Sequence, residues 1–132
     1  MVNRETLEVG THALEKLDLL ISELTSAKNL GTWDIFFGGS AVTWMKRNRI
    51  RKCETVARDT KAALSTFKDM LNQDNSIHLD SIDIFEDTRC IDYFLGIIGN
   101  IMVQKKIETN LAEANKTRSA LAHCLCILEN GG

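Results

Sequence analysis

Residues 50–71 read IRKCETVARDTKAALSTFKDML, and this stretch decides the fold. Mostly apolar side chains recur in it at alternating steps of three and four residues, at Ile50, Cys53, Ala57, Thr60, Leu64, Phe67 and Leu71. This spacing places them on one face of an α-helix and holds a coiled-coil-like register for three seven-residue repeats. We therefore predict a long helix over about residues 41–72 that buries one face against other helices.

Two further segments carry helical patterns. In residues 4–29 the apolar positions alternate in the same way, at Leu7, Leu14, Leu17, Ile21 and Leu24. Further apolar residues beside them, Ala13, Leu20 and Ala27, widen this apolar face. In residues 85–129 the pattern runs from Ile91 to Leu128, and Gly96 and Gly99 are the points where this helix could kink. The chain has no proline, the residue that interrupts helices most strongly, so long helices are expected.

The segments between the helices have their own composition. Residues 30–40 hold three aromatic side chains between glycines, and we predict a packed corner there because Asn29 and Gly31 can end a helix. Residues 73–84 are predicted to be an acidic connector. At 132 residues the chain has the usual length of one domain.

Together these patterns predict a single all-α domain, residues 1–132. The expected architecture is an elongated antiparallel bundle of three long helices, or four if the glycines or the aromatic corner interrupt one. We expect the helices at 41–72 and 85–129 to pair antiparallel about the connector, with the first helix packed along both.

The chain also resembles itself. Sliding residues 50–71 onto residues 107–128, an offset of 57, produces six identities. They pair Ile50 with Ile107, Ala57 with Ala114, Thr60 with Thr117, Ala63 with Ala120, Leu64 with Leu121 and Leu71 with Leu128. An internal duplication and a chance alignment of two heptad helices both account for the match, and both predict the same architecture.

The composition limits which functions the chain can have. Sixteen basic and eighteen acidic residues give a formal charge of −2, so any electrostatic function must be local. The N-terminus has acidic residues where an export signal needs an apolar core, and the longest apolar stretch is too short to span a membrane, so we expect a cytoplasmic protein. For the four cysteines, at 53, 90, 124 and 126, we favour reduced, core-facing thiols over a disulfide set.

No residue pattern predicts catalysis, a metal or a cofactor. His123 and Cys126 are the one helix-compatible ligand pair in the run His-Cys-Leu-Cys at 123–126, and no spacing elsewhere supplies the further ligands of a zinc site. Asp34 reads as a helix cap, and the run Gly-Gly-Ser at 38–40 lacks the lysine of a phosphate-binding loop. We therefore expect a protein that is not an enzyme and has no small-molecule substrate.

The sharpest charged feature is a basic collar, which we define as residues 46–52. Five of its seven residues are basic: Lys46, Arg47, Arg49, Arg51 and Lys52. The antiparallel pairing above would bring Lys105 and Lys106 beside it, whereas residues 69–92 carry seven acids and one base. The collar is either a solvated helix surface, a protein-docking surface or a phosphate-binding surface for nucleic acid or anionic membrane.

Aromatic side chains are concentrated beside the collar. Trp33, Phe36, Phe37 and Trp44 are half of the chain's aromatic residues and fall within twelve positions. Aromatic residues dominate binding energy at many interfaces, so this cluster is a candidate docking surface. Its alternative role is to fill the end of the bundle.

Two sets of residues resemble an uncharacterised family of bacterial helical proteins. They are Trp33-Asp34 with Gly38-Gly39 and a basic stretch ending Arg49-Ile50, and Asp92-Tyr93-Phe94 followed by Val103-Gln104-Lys105-Lys106-Ile107. The resemblance covers most of the chain from Gly31 onward. Two clustered glycines stand where the family has three, and Asn48 stands where a histidine is common. The resemblance implies a bacterial all-helical protein, and it implies no activity, cofactor or catalytic residue.

The sequence therefore predicts a cytoplasmic interaction or scaffolding module that self-associates, with a dimer favoured, or that binds another protein. The aromatic cluster and the basic collar are its expected docking surfaces. The alternative function is binding to a phosphate surface through the collar.

Overall fold

The computed structural model of the chain describes residues 4–37, 40–73, 82–98 and 107–131. Four helices account for them: α1 (Arg4–Phe37), α2 (Ser40–Gln73), α3 (Ile82–Ile97) and α4 (Ile107–Gly131). Helix α1 packs on α2 and α4, and α3 packs on α4 and less extensively on α2. The predicted all-α helical bundle is therefore confirmed, with four helices.

Helices α1 and α2 form an antiparallel hairpin. The Thr60 hydroxyl donates to the carbonyl oxygens of Val56, at 2.7 Å, and of Lys16 across the hairpin, at 3.1 Å. Nearer the N-terminus of α1, Gly10 lies against Phe67 of α2. Residues later in α1 therefore contact residues earlier in α2, so the two helices run in opposite directions. A connection of only two residues between the helices requires this arrangement.

Helix α4 also runs antiparallel to α1, because Gly10 contacts Leu125, Asp18 pairs with Arg118 and Lys28 pairs with Glu108. Helices α2 and α4 are therefore parallel to each other on two sides of α1. The prediction that residues 41–72 and 85–129 pair antiparallel about the connector is wrong for α4, whereas α3, which runs antiparallel to α4, is antiparallel to α2 as predicted. The short connection brings α2 straight back onto α1, so α1 becomes the shared partner.

Two predicted boundaries change. Helix α1 continues through residues 30–37, most of the segment predicted as a corner, because Asn29 and Gly31 weaken a helix without blocking its backbone geometry. The predicted helix at 85–129 is two helices, since α3 ends at Ile97 and α4 begins at Ile107. Within the described ranges, no helix combines the length and apolar composition that a membrane span requires.

The buried seam of α1 is offset from the predicted one. Its fully buried positions follow a strict alternation of four and three, at Thr6, Gly10, Ala13, Leu17, Leu20, Leu24 and Ala27. The predicted seam residues Leu7, Leu14 and Ile21 are only partly buried and flank this core. Small residues thus occupy the centre of the seam near the start of α1, which lets α2 and α4 approach closely there.

The predicted core of α2 is confirmed, and α4 repeats it. Every seam position of α2 from Cys53 to Leu71 is buried, and each has a buried counterpart 57 residues later in α4. Thr60 and Thr117 also make equivalent hydrogen bonds within their own helices. Each hydroxyl donates to the carbonyl oxygen four residues earlier, at 2.7 Å for Thr60 and 2.8 Å for Thr117. The similarity of the two sequences therefore extends to burial and to local hydrogen bonding.

Gly10 of α1 is closely surrounded by side chains of two other helices. A methyl group there would overlap Cδ2 of Leu125 and lie 2.7 Å from Cε1 of Phe67. At Gly96 in α3, by contrast, a methyl group would meet nothing within 4 Å. The two glycines therefore form a matched pair for testing the packing of α1.

We predict that Gly10→Ala lowers the free energy of unfolding by about 1 kcal/mol, because overpacking costs more than the better helix propensity of alanine contributes. Gly96→Ala should leave stability unchanged or raise it by up to about 0.5 kcal/mol. Urea denaturation followed by circular dichroism measures both. A Gly10→Ala protein more stable than the parent would show that α2 and α4 do not approach α1 as described.

Candidate functional site

The aromatic cluster lies at one end of the α1–α2 hairpin. Trp33, Phe36 and Phe37 belong to the last two turns of α1, and Trp44 belongs to the first turns of α2. Continuing the hairpin register from Thr60 and Lys16 places Trp33 within one residue of the level of Trp44. The helices thus bring the four residues to the same end of the hairpin, while the side chains of residues 30–50 lie outside the described part of the structure.

The basic collar belongs to α2. Arg51 and Lys52 are exposed, and Lys46, Arg47 and Arg49 precede them on the same helix with side chains outside the described part. Lys105 and Lys106 lie outside the described residues altogether. The first turn of α4 is nevertheless at the level of the collar, because Lys28 of α1 pairs with Glu108 at 3.8 Å.

Lys28 is a collar neighbour that the sequence analysis missed. It is exposed on α1, and the hairpin register places it within one residue of the level of Arg49 of α2. Its position on a different helix, 21 residues from Arg49, hides it from any search for clustered charge along the chain. Only the hairpin brings the two together.

The opposite end of the bundle is acidic. Asp69 and Glu86, two of the seven acids of residues 69–92, are exposed there. The antiparallel packing adds exposed carboxylates from the start of α1 and the end of α4, namely Glu5, Glu8 and Glu129. We define these five residues as the acidic end. Its basic neighbours Arg4 and Lys68 pair with Glu8 and Asp92.

A polar contact joins α3 to α4. Nδ1 of His123 lies 2.7 Å from Oδ2 of Asp87, whose side chain is only 12% exposed whereas that of His123 is 54% exposed. A carboxylate removed from water needs such a partner, so the pair holds the start of α3 against α4. A second contact, between Cys90 Sγ and Thr117 Oγ1 at 4.0 Å, runs in the same antiparallel sense.

The four cysteines differ in exposure. Cys53 and Cys124 are buried as predicted, but Cys90 is half-buried and Cys126 is exposed, so the prediction that all four face the core is wrong. Residues 124 and 126 point about 200° apart on a helix, and only Cys124 falls on the buried seam. None of the four, all of them described, is in a disulfide.

Burial raises the pKa of the Cys124 thiol to about 12, and the negative charge of Asp87 adds to the shift. A thiol with this pKa is almost entirely protonated at neutral pH and is a poor nucleophile. His123 and Cys126, the one pair in this run with a spacing that a helix allows for shared ligation, are both exposed on α4. Among the residues that the structure describes, no group of three or more histidine, cysteine or acidic side chains is placed to hold a metal ion.

We predict that alkylation with iodoacetamide at pH 8 labels Cys126 rapidly and leaves Cys124 unmodified in the folded protein. Only about one Cys124 thiol in ten thousand is ionised at that pH, and its sulfur is buried. Peptide mass spectrometry at timed intervals measures both rates, and labelling in urea serves as the control. Equal rates in the folded protein would contradict the buried position of Cys124.

The site thus consists of an aromatic hairpin end, a basic collar beside it and an acidic end opposite. Comparison of the chain with protein-family models, with curated proteins and with solved structures finds no match.

Proposed function

We propose that the protein is a non-enzymatic interaction module of the bacterial cytoplasm that self-associates, with a dimer as its basic state. The observation that carries this proposal is the separation of charge between the two ends of the bundle. Arg51 and Lys52 of the collar and the neighbouring Lys28 are exposed, and exposed carboxylates from all four helices lie at the acidic end.

The geometry favours a second copy as the partner. Two copies that lie side by side in opposite directions bring each collar next to the partner's acidic end. A two-fold axis forms both contacts at once, so one complementary pair of surfaces is used twice. The formal charge of −2 is also compatible with a dimer, because two copies with so small a net charge repel each other only weakly.

The aromatic cluster supports a docking role at the same end as the collar. Because Lys28 pairs with Glu108 in the first turn of α4, residues 30–37 of α1 continue beyond the point where α4 begins. At about 1.5 Å per residue, this part of the hairpin extends roughly 12 Å further. Trp33 and Trp44 lie at one level of that extension, where aromatic residues can contribute strongly to binding.

We predict that the parent protein is a dimer at 20 mM salt and dissociates at 500 mM salt, because screening weakens contacts between exposed charges. The double variant Arg51→Glu/Lys52→Glu should weaken the dimer at low salt by about tenfold. Light scattering behind a sizing column, at several protein concentrations, measures the mass of each.

The matched control is Lys61→Glu/Lys116→Glu. It changes the net charge by the same amount at two exposed lysines of α2 and α4 that lie outside the collar. This control should keep the dimer. A strict monomer at low salt would rule out self-association, and equal weakening by both variants would show that net charge rather than the collar is responsible.

A second candidate function is binding to a phosphate surface, as in nucleic acid or anionic membrane. The observation that favours it is that Lys28 of α1 lies within about one helical turn of the level of Arg51 and Lys52 of α2, since phosphate affinity grows with the number of basic residues in reach. In that case the parent binds a fluorescent DNA duplex, or vesicles containing phosphatidylserine, at 50 mM salt and releases it as salt rises. Loss of binding in R51E/K52E but not in K61E/K116E is expected, and no binding by the parent excludes this function.

A further inference from the structure

An open groove of about 720 Å³ runs between α1 and α2. Its lining includes the small side chains of Ala62 and Ala63, and its charged groups are Glu5, Glu8, Asp59 and Lys16 beside His12. Three carboxylates against one lysine make the groove negatively charged at neutral pH. Small residues along one side allow another helix to approach α2 closely there.

The exposed face of α2 continues from this groove to the collar. Counting back by steps of three and four from Thr66 through Ala62 and Asp59 leads to Thr55 and then Lys52. All five residues are exposed, so they form one continuous strip on the side of α2 that α1 leaves uncovered. The strip has a basic side chain at Lys52 and an acidic one at Asp59. Its other members, Thr55, Ala62 and Thr66, have small side chains.

Lys52 and Asp59 are seven residues apart, about 10.5 Å along the helix, and cannot form an ion pair within one copy as residues four apart do. They are placed to form ion pairs between copies. If two α2 strips cross in opposite directions at Thr55, Lys52 of each copy lies opposite Asp59 of the other. The same crossing directs the remainder of the collar toward the Ala62 part of the groove and its carboxylates.

Thr55 suits the crossing point. Its hydroxyl donates to the carbonyl oxygen of Arg51 at 3.1 Å, so the polar group is satisfied within its own helix. The surface that it presents is small and partly apolar. Two α2 helices can therefore approach each other at this residue without losing a hydrogen bond.

We propose that the partner of the α1–α2 groove is a second copy of this chain, which inserts its basic collar there in an antiparallel α2–α2 contact centred on Thr55. The proposal rests on the self-association proposed above and specifies its surface and register. The opposite charges of the groove and the collar select this occupant.

A charge swap tests the pairing. At 20 mM salt, Lys52→Asp and Asp59→Lys should each weaken the dimer by about tenfold, because each places like charges opposite one another twice per dimer. The double variant K52D/D59K restores both pairs with reversed sign and should return to within about threefold of the parent. Sedimentation velocity over a concentration series measures the dissociation constants.

Cysteine cross-linking tests the crossing point independently. In a Cys126→Ser background, Thr55→Cys should form a disulfide-linked dimer with oxidised glutathione, because the two-fold axis places residue 55 beside itself. Thr66→Cys is the matched control, since Thr66 is exposed on the same strip and its hydroxyl makes the same bond to the carbonyl four residues earlier, at 2.9 Å. It should remain unlinked.

The outcomes separate the two proposals. A monomeric parent at low salt overturns both self-association and this contact. The contact is overturned, and self-association stands, if R51E/K52E weakens the dimer but D59K does not. The same holds if the disulfide forms through Thr66→Cys, or through neither Thr55→Cys nor Thr66→Cys. Circular dichroism of each variant confirms that it is folded, and the charge swap and the cross-link each decide the question without the other.

Discussion

The whole bundle depends on the narrow seam of α1. This helix packs on α2 and on α4, and its buried seam has the small residues Gly10 and Ala13 near its start. Phe67 of α2 and Leu125 of α4 both reach Gly10, so this one position holds the two neighbours at a common level. A larger side chain would separate them, and the parallel relation of α2 and α4 follows from their shared antiparallel partner.

Helices α2 and α4 pack on α1 through equivalent buried positions but differ on their exposed faces. The two helices bury the same seven-residue pattern, yet their exposed faces differ: α2 carries the basic collar and the strip from Lys52 to Thr66, whereas α4 carries Arg118 and His123. Arg118 pairs with Asp18 of α1, and His123 pairs with Asp87 of α3. Arg118 and His123 of α4 therefore hold the bundle together, whereas Arg51, Lys52 and Asp59 of α2 belong to the surface proposed for association.

Charge separation is a property of the packed bundle more than of any one segment. Glu5, Glu8 and Glu129 come from the two ends of the chain, and antiparallel packing brings them to the end where α2 reaches Asp69. Lys28 is brought to the collar in the same way. A chain with nearly balanced charge thereby acquires two unlike ends, which is the physical basis for the proposed pairing of copies in opposite directions.

The sequence by itself determined the helical class, the approximate extent of α2 and its buried residues from Cys53 to Leu71, because helix periodicity is a local property of the chain. It also located the basic collar, whose members are consecutive. It did not determine that α1 continues past Gly31, nor that Leu7 and Leu14 only flank the seam, since both depend on what packs against α1. The tertiary structure alone decided that α2 and α4 are parallel, that Asp87 meets His123, and that distant carboxylates share one end. Each of these relates residues far apart in the chain, and their positions follow from connection lengths and from the competition of several apolar faces for one core.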